Sequence, residues 1–208
     1  MTRAIRNILI AVFPLFVMVS CAPGGRLYIP GDLTRPAMGP EGPPGAPQAA
    51  VVDFSYAADE PEVVGRDFDQ VRPIVWRGEP GKAMADLVYR VLAENGAPVV
   101  RVASEADVPA TVPVRIGGTV RRFEVNARRS GGVAVVSEAT VSLRVSAAGG
   151  PVPPMWEAEV TSSSSEKDVF VTPDGVRDVL LTAANAAAEE AARRLLAAGA
   201  ASPVLPGK

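Results

Sequence analysis

The sequence predicts an α+β domain: a mostly antiparallel β-sheet with two helices packed on one face. Three observations carry that expectation. Apolar residues repeat at helical spacing from about Pro80 to Asn95 and again from Pro173 to Ala198. Between Val114 and Val160 the period changes to two, the mark of half-buried strands. Two helices are too few to cover both faces of a large sheet, so one face is left to solvent. No repeat of solenoid period is visible.

Composition narrows the function classes. With 208 residues, 48% hydrophobic and 21% charged, the chain fits one globular domain with flanking segments. The net charge is −2, and Arg3 and Arg6 near the start leave the rest more acidic still, which argues against a nucleic-acid partner. Histidine is absent and cysteine occurs once. Intrachain disulfides, Cys/His zinc sites and histidine-based triads are therefore excluded, and the expectation is a non-enzymatic protein without metal or cofactor.

Met1 to Asn7 is basic, and Ile8 to Val19 is an apolar run broken only by Pro14. This is the layout of a secretory signal peptide over residues 1–20. A run of about 12 residues covers roughly 18 Å, short of the ~30 Å needed to span a bilayer. Met18-Val19-Ser20-Cys21, at its end, resembles the lipobox of bacterial lipoproteins. The resemblance implies that the mature chain starts at Cys21, acylated on its sulfur and usually on its amine. Several acyl chains hold a protein stably where one does not. Ala22 stands where an aspartate would favour retention in the inner membrane, so the implied location is the outer membrane, periplasmic face.

Residues 21–48 are crowded with glycine and proline and read as a lipidated tether. Proline-rich chain extends about 3.1 Å per residue, enough to stand a domain tens of ångströms off the bilayer. Three Gly-X-Y triplets from Gly39 to Pro47 are too few for collagen. Leu27-Tyr28-Ile29 is a small apolar island, read as local packing or the domain edge.

The α+β domain is expected over 49–199 and a flexible tail over 200–208. Residues 49–57 read as a strand, followed by an acidic loop through Asp59, Glu60, Glu62, Asp67 and Asp69 that lacks calcium-loop spacing. A short strand with Trp76 leads to a helix whose stripe is Met84, Leu87, Val88, Val91 and Leu92, stopped at Asn95-Gly96. Pro98 to Val102 is another strand. In the long hairpin that follows, Val114, Ile116 and Val120 share one parity, and Phe123, Val125 and Ala127 the other. A β-bulge near Arg121-Arg122 would restore one buried face. Val133, Val135, Ala139, Val141, Leu143 and Val145 alternate on the return strand, and Trp156, Ala158 and Val160 on the next. The last helix opens at Thr172-Pro173, buries a stripe from Val176 to Leu195 rich in alanine, and stops at Gly199.

Two groups of side chains invite chemistry. Ser164 and Lys167 have the Ser-x-x-Lys spacing of penicillin-recognising enzymes, but companion motifs are missing and the stretch reads as a polar loop. Arg121, Arg122, Arg128 and Arg129, with Arg144 across the hairpin, form a candidate cationic strip for anionic groups such as lipid phosphates; the alternative is a solvated hairpin face.

The helix ending "LVYRVLAENG", the pair "FEVNARRSGGVAVVSEATVSL", the strand "MWEAEVTSSSS" and the helix "GVRDVLLTAANAAAEEAARRLL" together resemble the YajG-type family of bacterial lipoproteins over residues 73–197. Auxiliary lipoproteins of lipid-transport ABC systems are organised similarly. The resemblance implies no catalytic residues. The expected function is a lipid-anchored binding or scaffold module of the cell envelope with a protein partner; the alternative is a lipid-binding accessory of an ABC-type transport system, holding lipid between helix and sheet.

Overall fold

The computed structural model describes residues 25–31, 46–149 and 156–201. Cys21 lies outside them. In chain order the elements are β1 (Leu27–Pro30), β2 (Ala49–Val51), β3 (Ser55–Tyr56), β4 (Val63–Asp67), β5 (Arg72–Arg77), α1 (Pro80–Glu94), β6 (Val99–Arg101), β7 (Val114–Arg129), β8 (Val135–Ala148), β9 (Trp156–Asp168) and α2 (Pro173–Ala197).

The fold class is α+β, built on one sheet that is mixed rather than mostly antiparallel. β7, β8 and β9 form a long antiparallel meander. On the other edge of β7, β2 lies parallel to its first residues and carries β6, also parallel. β3 pairs parallel at Thr119 and Val120, and β4 parallel at Ala127. β4 pairs antiparallel with β5, and β1 adds to β5 in parallel. These strands are short, and their parallel sense comes from connections long enough to return the chain to the same end of the sheet.

The long elements form where patterning demands. β7 and β8 change register between Val120 and Arg122, so Arg121 is the extra residue of a bulge. Val114, Ile116 and Val120 before it, and Phe123, Val125 and Ala127 after it, are all buried. α2 is capped by Thr172, whose Oγ1 accepts from the Gly175 amide at 3.1 Å, with Pro173 at its first position. Its alanines, from Ala183 to Ala192, let the helix lie close on β8 and β9 while Val176, Val179, Leu180 and Leu195 fill the remaining space. α1 lies beside α2, with Met84, Leu87, Val88 and Leu92 buried in the shared core. At the centre, Trp76 meets Phe123 edge to face, ring centroids 5.3 Å apart.

Several boundaries move. Leu27 and Ile29, inside the span read as tether, are buried in β1, so the sheet begins before residue 49. The acidic loop contains β4, and Asp67 within it is wholly buried. Ser162 to Asp168 extend β9 instead of forming a loop: across the strands the Thr140 and Ser163 hydroxyls are 3.2 Å apart, and Thr161 Oγ1 donates to Ser142 Oγ at 3.0 Å. Val133 stands exposed in the β7–β8 turn, and Ala200 and Ala201 are buried against the core. Among the described residues no helix is long and apolar enough to cross a membrane.

Candidate functional site

Between the pairing with β3 at Val120 and the approach of β4 at Val125, the edge of β7 has no paired strand over Arg121 to Glu124. A cleft of about 420 Å³ lies there, lined chiefly by Tyr56, Arg66, Phe68, Arg121, Arg122 and Glu124. The bulge turns two consecutive side chains, Arg121 and Arg122, to the same outward side. β4 supplies Arg66 from the facing wall. Its approach depends on Gly65, where any Cβ would collide with the Val125 carbonyl oxygen. The Arg66 amide donates to Asn126 Oδ1 at 3.0 Å, and Asn126 Nδ2 donates to Glu124 Oε1 at 2.6 Å, which fixes the floor.

Three guanidinium groups against one carboxylate give the cleft an excess of positive charge. Arg122 Nε lies 3.8 Å from Glu124 Oε2, a loose, exposed pair. Arg121 has no ion pair among the described residues, although its charge helps hold the Glu157 carboxyl below its ordinary range, behind the larger effect of the Arg144 hydrogen bond. Burial, with Glu124 nearby, raises the Tyr56 phenol above its usual value, so Tyr56 presents a neutral hydroxyl. An arrangement of forked donors on an aromatic wall suits a phosphate or carboxylate group.

The structure thus brings together two of the four arginines singled out in the sequence. The other two are engaged elsewhere: Arg128 Nη2 bonds Glu138 at 2.8 Å, and Arg129 Nε bonds Asp69 at 3.1 Å. Arg144 pairs with Glu157 across β8 and β9. Arg66 and Tyr56 were not anticipated, and no local signal marks them, because the long connections between β3, β4 and β7 bring them to the cleft.

Ser164 and Lys167 do not meet. Both lie on β9, where side chains three apart point to opposite faces about 10 Å apart along the strand. Among the described residues no group of three metal-ligating side chains is found. The helix–sheet interface is packed with buried side chains, and the cleft of about 420 Å³ lies beside β7 instead.

No family model matches the sequence, and no curated protein matches it. Among solved structures, a DUF330-family protein from Xanthomonas campestris has TM-score 0.51 and 18% identity, covering 85% of this chain and 95% of that one. Lipoprotein GNA1162 from Neisseria meningitidis has TM-score 0.33 and 14% identity, covering 66% and 94%. The first likeness establishes the fold alone. The second is too remote to carry an argument.

Proposed function

We propose that this protein is a lipid-anchored, non-enzymatic binding or scaffold module of the bacterial cell envelope, held at the periplasmic face of the outer membrane through acyl chains on Cys21. The observation that carries the reading is the lipobox-like Met18-Val19-Ser20-Cys21 closing a basic, then apolar leader. The separation of Ser164 from Lys167 adds support, since it removes the sequence's one nucleophile–base spacing. The decisive experiment is Cys21→Ser. Wild-type protein floats with membranes and carries the mass of its acyl groups, while the variant accumulates as precursor with its leader attached. A wild-type protein with an unmodified thiol, or a Cys21→Ser variant processed and retained like wild type, overturns the reading. In-cell crosslinking followed by mass spectrometry identifies the protein partner.

A second reading is favoured by the cleft: the module acts as a lipid-binding accessory of an ABC-type transport system and holds an anionic headgroup between Arg66, Arg121 and Arg122. Purified protein then carries phospholipid in native mass spectrometry, and Arg121→Glu with Arg122→Glu loses it. Wild-type protein purified free of lipid counts against this reading.

A further inference from the structure

Six large apolar side chains are strongly exposed among the described residues: Tyr28, Phe68, Val71, Val133, Val169 and Phe170. Scattered singly, such residues need no explanation. Here five of them come from three different connections and share one end of the sheet. β4 runs toward the β7–β8 turn and ends level with Ala127, so the β4–β5 turn, with Phe68 and Val71, sits at that end. Val133 is in the β7–β8 turn itself. β9 ends with Asp168 opposite Val135, so Val169 and Phe170 follow at the same place. Exposures of 74% for Val71, 75% for Val133 and 73% for Phe170 leave these side chains without cover. Tyr28 is the exception, lying under the Arg77 guanidinium at 4.6 Å.

The N-terminus reaches the fold from this same end. β1 runs parallel to β5, away from the tip, and Leu27 is level with Ile74, which pairs with Gly65 beside Val125 of β7. From that level the tip is about four residues away, roughly 13 Å, and the far end of β7 about eleven residues, roughly 36 Å. Six Cα steps separate Cys21 from Leu27, a reach of at most about 22 Å. A lipid on Cys21 can therefore lie beyond the tip, but not beyond the opposite end.

We propose that the sheet end bearing Phe68, Val71, Val133, Val169 and Phe170 rests in the headgroup layer of the membrane that holds Cys21, fastening the domain at a second point. This rests on the acylation of Cys21 proposed above. Charge contributes little, because Arg72, Arg128 and Arg129 at this end are already paired with Asp67, Glu138 and Asp69, and the exposed Lys167 stands between the acids Glu166 and Asp168. The contact is apolar, resists salt, and does not require anionic lipid.

Because Cys21 is the only cysteine, Phe170→Cys gives acylated protein a single free thiol for an environment-sensitive fluorophore, and Ala148→Cys does the same at the opposite end. Both positions are exposed, so neither substitution disturbs the core. In phosphatidylethanolamine–phosphatidylcholine vesicles, the label at 170 shifts to the blue and is quenched by doxyl lipid at low and high salt; the label at 148 does neither. With Phe68→Ser and Phe170→Ser together, a label on Val133→Cys loses most of its quenching while the protein stays on the vesicle. Acylated, vesicle-bound protein in which 170 is as wet as 148 overturns the inference and leaves the anchor standing. A blue shift at 170 without lipid quenching overturns it in favour of a protein covering the tip. Unmodified Cys21 and failure to float overturn anchor and inference together.

Discussion

Asp67 and Arg72 close the β4–β5 turn from the inside: the fully buried Asp67 carboxylate accepts from Arg72 Nε at 2.9 Å. The same carboxylate accepts the Asp69 and Gln70 amides at 3.1 and 3.3 Å. One side chain therefore shapes the turn that lifts Phe68 and Val71 into solvent.

Asp67→Ala strands a guanidinium whose side chain is only 20% exposed, together with two turn amides. Stability should fall by about 3 kcal/mol. Urea denaturation checks this as a lower midpoint at unchanged slope.

Gly65→Ala should lower stability by about 2 kcal/mol, because the new methyl meets the Val125 carbonyl oxygen and must push β4 away from β7. At Gly96 a Cβ would meet nothing within 4 Å, and the cost there is only that of a positive φ of 75°, about 1 kcal/mol. The order of the two thermal midpoints is the test.

Arg121→Glu with Arg122→Glu should leave the unfolding midpoint nearly unchanged, within about 0.5 kcal/mol, since both side chains are exposed and their pairing is loose. Inorganic phosphate titrated into wild-type protein should shift the NMR amide signals of Arg66 and Arg122. In the double variant those shifts should vanish.

Glu190 accepts from Arg193 Nε at 2.8 Å and from Arg194 Nε at 2.6 Å. These bonds lower its carboxyl from 4.5 to about 2. A depressed folded-state value favours the folded state above the unfolded value, and that contribution disappears as pH falls toward 2. Wild-type protein should therefore be more stable than Glu190→Gln at neutral pH, with the difference shrinking between pH 4.5 and 2. Thermal melts of both proteins across that range check the sign.

The parts of the fold legible in the sequence are those whose pattern is long. The buried stripe from Val176 to Leu195 runs along most of a 25-residue helix, and the parity switch between Val120 and Phe123 marks the bulge in the sequence itself. β1 was hidden because Leu27 and Ile29 offer only two inward positions amid glycine and proline, too few for periodicity to register. β4 was masked by its acids, and the burial of Asp67 depends on Arg72 arriving through a turn. The serine run misleads because hydroxyls signal loops in isolation, whereas here Thr140 meets Ser163, and Ser142 the preceding Thr161, from the next strand. Of the cleft, the bulge arginines could be read, but their partner wall, Arg66 and Tyr56, is a product of topology.

β7 also governs when the protein can exist as one unit. β2 with β6, and β4 with β5 and β1, are joined through it, and among the described residues those two strand groups share no direct pairing. A ribosome that has not yet made residue 114 has produced two unconnected scraps of sheet. Cooperative structure is deferred until β7 is made, so the first half of the chain stays pliable while it is synthesised.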